Sequence, residues 1–278
     1  MTAPLLEVAG LTVSFPTRDG LHPVVRDVSF TVGREKVGIV GESGSGKSMT
    51  ARAILDLVPP PGRVSAARLA FAGQDLRSMP TRERAKLRGK RISMILQDPR
   101  HALNPVMTIG AQLAETFRLH KGANGRQARE RSLQALNAVH IRDPARVVDL
   151  YPHEISGGMG QRVMIAMMLA PDPELLLADE PTSALDATVE AGILETLDEL
   201  VTARGMGLVL VSHDLDLVSA FCDRVLVFYA GRIVEELDAR NLRAAQHPYT
   251  QGLMACVPRL GQRRTELPVL RRDASWAR

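Results

Sequence analysis

Cysteine is nearly missing from this sequence, with Cys222 and Cys256 the two thiols among 278 residues. One bridge at most can form, so a fold stapled by disulfides is excluded, and so is a zinc or iron–sulfur centre built on cysteine clusters. Long apolar runs are lacking too. The longest, such as "VMIAMMLA" at 163–170, stop far short of the roughly 20 residues that a membrane-crossing helix needs. The opening "MTAPLLEVAG" has neither the basic region nor the long apolar region of a secretory signal, so a reducing cytoplasm is the expected setting. Charge of one sign is scarce as well: 35 basic against 31 acidic residues leave +4. Basic residues concentrate only in "TRERAKLRGKR" (81–91) and in the arginines of 259–278, which read first as solvated faces and otherwise as contacts for acidic lipid headgroups or a partner. No internal repeat is present.

What the chain does have is length enough for a substantial core and a 45% hydrophobic content. Apolar, largely β-branched or leucine-rich runs recur at 35–40, 91–96, 174–179, 207–212 and 224–229, and read as strands buried on both faces. Segments with helical spacing lie between them, at 48–57, 109–120, 127–139, 157–170, 187–204 and 214–222. Alternating strands and helices predict an α/β fold with a parallel sheet. The first 33 residues alternate in period two and predict an antiparallel sheet beside it. From about 98 to 170 the pattern is almost purely helical, which predicts a helical subdomain inserted in the α/β core. The expected main domain spans 1–236, and the extension at 237–278 is rich in Arg and Pro and too short for a core of its own.

"GESGSGKS" (41–48) stands between a buried strand and a helix. This is the GxxxxGK[ST] arrangement of a phosphate-binding loop in its proper context. Gly41, Gly44 and Gly46 let the backbone turn so that N–H groups, those of Glu42, Ser43 and Ser45 among them, can converge on phosphate oxygens. The helix that follows adds its positive dipole end. Lys47 is placed to reach the β and γ phosphates, and the Ser48 hydroxyl to ligate Mg2+. The predicted anion is the tail of a nucleoside triphosphate.

Two further features narrow the chemistry. The strand "ELLLADEP" ends in Asp179, which can hold the metal through its water shell, and in Glu180, which can take a proton from an attacking water. "SGGMG" (156–160) opens a helix with the Ser156 hydroxyl and the bare backbones of Gly157 and Gly158, which makes a second anion site. Two phosphate devices are best used by two subunits that face each other in opposite orientation.

With these motifs in place, the sequence resembles the ATP-binding subunits of ABC transporters over about residues 5–236. "GESGSGKS" resembles the family's Walker A, "ILQDP" its Q-loop, "ISGGM" its signature, "LLLADEP" its Walker B, "SALD" its D-loop and "VSHDL" its switch, all in family order. The resemblance implies a P-loop NTPase (RecA-like) fold with ATP and Mg2+ as ligands. It implies that Gln97 touches the metal and the attacking water and links the site to membrane subunits. It implies that His213 contacts the γ-phosphate, that Asp186 helps form the subunit contact, and that Phe15 stacks on adenine. No NKxD guanine-reading motif occurs, which favours ATP over GTP. One departure is Met159, which stands where the family commonly has glutamine and cannot hydrogen-bond a partner's nucleotide.

"HPYTQGLMACVP" (247–258), "QDPRHALNPVMTIG" (97–110) and "YPHEISGGMGQRVMIAMMLA" (151–170) resemble the peptide and nickel importer subfamily. That resemblance implies a subunit at the cytoplasmic face of the plasma membrane, paired with two permease subunits and a second ATPase subunit and served by an extracytoplasmic solute-binding protein, with no nucleic acid involved. The cysteine-rich tail of many peptide-importing relatives is missing, which tilts the expected solute toward nickel or a metallophore. The competing readings are a non-transport ABC ATPase acting on nucleic acid or ribosomes, which needs coiled coils, tandem halves or zinc modules that are not here, and a small-molecule kinase, which leaves "SGGMG" and His213 unexplained.

Overall fold

A computed structural model of the chain describes residues 3–183, 185–256, 273 and 276. It has two compact units, Met1–Met79 with Val209–Arg278, and Pro80–Leu208.

The first unit opens with a hairpin of β1 (Leu6–Thr17) and β2 (Gly20–Val32). Leu6, Val8, Leu11 and Val13 of β1 are buried, as are Val25, Val28, Phe30 and Val32 of β2. Val8 and Leu11 are three residues apart, as are Val25 and Val28, so a regular strand would send one of each pair to the opposite face. Register shifts at these points, with Gly10 at φ +63° and Asp27 at φ +53°, restore the inward direction; these are β-bulges in service of the core. β4 (Arg63–Ser65), β5 (Arg68–Phe71) and β6 (Gln74–Asp75) complete this antiparallel sheet in the order β2-β1-β5-β6, with β4 against β1. Period-two alternation revealed β1 and β2. It does not reveal β4 or β6, whose three and two residues are all exposed and owe their strand form to their partners.

The same unit holds β3 (Lys36–Val40) and, after it, α1 (Lys47–Ile54). β10 (Arg224–Tyr229) runs parallel to β3, and β11 (Arg232–Asp238) returns antiparallel to β10 through Ala230 and Gly231, both at positive φ as in a type I′ turn. β9 (Gly207–Val211) lies on the other side of β3, whose Ile39 carbonyl accepts from Ser212 N–H at 3.0 Å. β9 is buried throughout, and β10 in all but its first residue, which is why parallel strands read as continuous apolar runs. α9 (Leu215–Phe221) starts at Asp214, whose carboxylate accepts from Leu217 N–H, and packs its Val218 on β3. Beyond β11 comes a 3-10 turn at Ala239–Ala244 and then α10 (Pro248–Cys256). Too short for its own core, this extension borrows one: Tyr249 and Thr250 are fully buried, and the Tyr249 ring lies 4.4 Å from that of Tyr229. The arginines of 259–278 lie outside the described residues.

The second unit carries α2 (Thr81–Leu87) and the parallel pair β7 (Ile92–Ile95) and β8 (Leu175–Asp179). Between these strands the chain is helical: α3 (Pro99–Ala102), α4 (Ile109–Lys121), α5 (Gly125–Ala138), α6 (Pro144–Val147) and α7 (Gly157–Leu169), with α8 (Ala187–Arg204) after β8. The turn from α4 to α5 is written in "GANGRQ". Gly122 takes the left-handed cap at φ +63°, and Asn124 and Gln127 exchange side-chain hydrogen bonds with each other's backbone as a capping box. Arg162 of α7 donates to the Val139 carbonyl at 2.8 Å and to Thr196 Oγ1 at 3.0 Å, which ties α7 to the end of α5 and to α8.

Gly38 sits at a close approach. A Cβ there would meet Val218 Cγ1 at 2.2 Å and Cys222 Sγ at 3.2 Å. Valine in a helix has little rotameric freedom to yield. Gly38→Ala is therefore expected to lower stability by about 1–3 kcal/mol in urea unfolding monitored by circular dichroism.

Candidate active site

Each unit carries one set of the residues singled out by the sequence. In the first unit, the doubly buried β3 delivers the chain into the loop 41–46, and α1 begins at Lys47. Gly41, Gly44 and Gly46 have φ of +148°, +79° and +100°, and a Cβ would strike the Phe228 carbonyl at 2.2 Å from Gly41 and the Val24 carbonyl at 2.7 Å from Gly46. Only glycine can make this turn against these backbones. Gly46 is the N-cap of α1 and supplies no side-chain cap, and a helix N-terminus of this kind is suited to an anion.

Lys47 is only 5% exposed, and its ammonium donates to the carbonyls of Gly41 at 2.7 Å and Glu42 at 2.9 Å. A buried ammonium in a glycine-walled loop is a group that a phosphate oxygen can bond with charge assistance. Ser45 is equally buried and its hydroxyl has no partner among the described residues. A buried polar atom left this way asks for a ligand. Ser43 and Gly44 are exposed at the loop's rim, while Ser48 is half-buried on the first turn of α1. Phe15, near the end of β1, is half-buried with its ring edge against Gly62, where a Cβ would come within 2.8 Å of it. His213 is exposed in the turn between β9 and α9, one residue beyond the Ser212 amide that bonds the end of β3.

In the second unit, Asp179 closes β8 and is 4% exposed. Glu180 follows at φ +46°, an uncommon conformation for a side-chain-bearing residue that costs on the order of 1–3 kcal/mol. The twist turns its carboxylate off the strand's regular alternation, and Gln97 Nε2 donates to Glu180 Oε2 at 3.2 Å. Gln97 lies just beyond β7, so the parallel pairing of β7 with β8 is what brings these two side chains together across 83 positions of sequence. The adjacent Asp98 caps α3 and is held down at a pKa of about 2 by hydrogen bonds from the Arg100 guanidinium and backbone.

Ser156 is the N-cap of α7 and accepts from Met159 N–H at 3.3 Å, so in this form its hydroxyl caps its own helix. Gly158 has no room for a side chain, since a Cβ would meet Val189 Cγ1 at 2.7 Å; Gly157 is exposed. Asp186 is exposed and caps α8 by accepting from Val189 N–H at 3.0 Å. Val189 thereby joins the signature segment to the segment of Asp186. Met159 is half-buried.

Sequence reasoning missed one residue at the phosphate loop. Glu42 N–H donates to the hydroxyl of Tyr249 at 3.0 Å. The "HPYT" stretch was visible as a resemblance, but a contact between positions 207 apart leaves no periodic signal.

The chain matches the ABC transporter family over residues 25–183. The dipeptide transport ATP-binding protein DppD of Escherichia coli (strain K12) is 47% identical over 268 residues, covering 96% of this chain and 82% of that protein. The oligopeptide transport ATP-binding protein OppD of Salmonella typhimurium is 47% identical over 265 residues, covering 95% and 79%. Among solved structures, a dimeric ATP-binding cassette in a post-hydrolysis state, bound to ADP and Pi, matches with a TM-score of 0.74 and 28% identity over 84% of this chain and 99% of that one. Both named relatives carry peptide names. A match across more than half of the chain, with relatives near half identity along almost all of it, shows that the chain belongs to the ABC transporter family.

Proposed function

We propose that this chain is the ATP-hydrolysing subunit of an importer of peptides, working from the cytoplasmic face of the membrane on permease subunits encoded separately. The observation that carries the reading is the loop at 41–48, where a buried ammonium, a buried hydroxyl with no partner among the described residues and a helix end without a side-chain cap converge. Among the described residues no helix is long and apolar enough to cross a membrane, so the solute path is assigned to partners. Those partners are two permeases and a second ATPase subunit, alike or different, with a solute-binding protein upstream.

The roles follow from the chemistry of each group. The N–H groups of the loop and the Lys47 ammonium hold the β and γ phosphates, charge-assisted bonds about twice as strong as neutral ones. Phe15 offers a face for adenine. Among the described residues no group of three or more His, Cys, Asp or Glu forms a metal cage. That suits Mg2+, which takes most of its ligands from phosphate and water and here would use Ser48, Asp179 and Gln97. Bound there, the ion neutralises charge on the phosphates. Glu180 accepts the proton of the attacking water, and the Gln97 amide fixes the direction of its carboxylate. His213 holds the γ-phosphate side of that arrangement. Ser156, Gly157, Gly158 and Asp186 serve the nucleotide of an opposing ATPase subunit, where the Ser156 hydroxyl can donate its O–H to a phosphate oxygen while it still accepts from Met159 N–H.

Gln97 also supplies the link to the permease. It sits between β7 and the helices α3 to α7, so a displacement of those helices by a membrane subunit would break or remake its bond to Glu180. Lys47→Ala is expected to weaken binding of a fluorescent ATP analogue by about tenfold or more, and ordinary affinity would remove the lysine from this scheme. Glu180→Gln, by contrast, should bind ATP normally and lose about 10²- to 10⁴-fold in turnover in a phosphate-release assay. Unchanged turnover there contradicts the assignment of the base.

A further inference from the structure

The phosphate loop is held from behind by a residue of the C-terminal extension. The peptide joining Gly41 to Glu42 is gripped on both edges. Its carbonyl accepts from the Lys47 ammonium at 2.7 Å, and its N–H donates to the Tyr249 hydroxyl at 3.0 Å. Tyr249 is fully buried, and its bond to the half-buried Glu42 is partly buried.

The tyrosine is itself aimed with care. Glu235 of β11 accepts the N–H groups of Gln246 at 2.6 Å and His247 at 3.2 Å, and His247 Nδ1 accepts from Tyr249 N–H at 3.2 Å. These bonds fix the start of α10 to β11. Around the ring, Tyr229 lies at 4.4 Å and Trp276 at 5.9 Å between centroids, and Tyr229 in turn meets Trp276 edge-on at 5.7 Å. Such packing leaves the ring few alternatives to the orientation that presents its hydroxyl to Glu42.

We propose that Tyr249 is a positioning residue for the phosphate loop, setting the plane of the Gly41–Glu42 peptide and, through that peptide's carbonyl, the place of the Lys47 ammonium. The inference rests on the reading of this loop as the ATP phosphate site. Two of the ammonium's three donors are committed to the carbonyls of Gly41 and Glu42, so the direction in which it meets phosphate depends on where those carbonyls stand. With the hydroxyl gone, the Glu42 N–H loses the acceptor that sets its direction, and the peptide is freed to rotate. That rotation carries the Gly41 carbonyl off Lys47.

Tyr249→Phe in the full chain removes the hydroxyl and keeps the ring. The expected result is a KM for ATP raised about three- to tenfold, matched by weaker binding of a fluorescent ATP analogue, with kcat at saturation within about twofold of the native value. A purely structural tyrosine would instead lower the melting temperature and the active fraction while leaving KM alone; that outcome overturns the proposal. Lys47→Ala, measured in parallel, separates the two layers of argument: if it binds nucleotide normally the phosphate-site reading falls, whereas if it fails to bind and Tyr249→Phe keeps the native KM, only the positioning role falls. Amide hydrogen exchange on the native chain gives a test that needs no variant to fold. The Glu42 amide is expected to exchange slowly, as a buried bonded N–H does, and exchange at the rate of an open loop overturns the contact.

Discussion

A buried ammonium on a turn that only glycine can make is the constraint from which the rest of this structure follows. Lys47 is nearly sealed from water, and its ammonium donates to the carbonyl oxygens of Gly41 and Glu42. The surroundings all serve to keep it there. β3 is buried along its last four residues, Phe228 and Val24 press their carbonyls to within a methyl's reach of Gly41 and Gly46, and Gly231 N–H donates to the Ser45 carbonyl at 3.0 Å. The loop is thus made in one shape before any ligand arrives. A preformed cradle loses little conformational freedom on binding.

The second unit holds one carboxylate in a comparably constrained place. Glu180 is bent into an uncommon backbone conformation directly after a fully buried strand, and a glutamine from the neighbouring strand's end holds its side chain. Strain of this kind persists only where packing on all sides enforces it. The signature segment and Asp186, meanwhile, spend their polar groups on capping α7 and α8.

Much of this was legible in the sequence, for reasons that differ by element. The strands around the phosphate loop carry their burial in composition, and "GESGSGKS" carries its backbone shape in its glycines, so both the core and the loop could be placed before any coordinates. Capping boxes such as Asn124 with Gln127 fix helix ends from local chemistry alone. The pairing of Gln97 with Glu180 was not legible as a contact, because it is created by strand neighbours that lie far apart in the chain. β4 and β6 were hidden because short exposed strands take their form from what they pair with. Tyr249 was hidden for a related reason: its importance lies in a single hydrogen bond to a backbone amide, and no pattern of side chains records that.

The most direct measurement of the central claim is a crystal structure of the full chain with Mg2+ and a non-hydrolysable ATP analogue. The account predicts β and γ phosphate oxygens about 3 Å from the Lys47 ammonium and from successive N–H groups of the loop, with the Ser45 hydroxyl now bonded and the Gly41–Glu42 peptide in the orientation seen here. A triphosphate bound elsewhere, or one held in the loop with Lys47 turned away from it, would contradict the account.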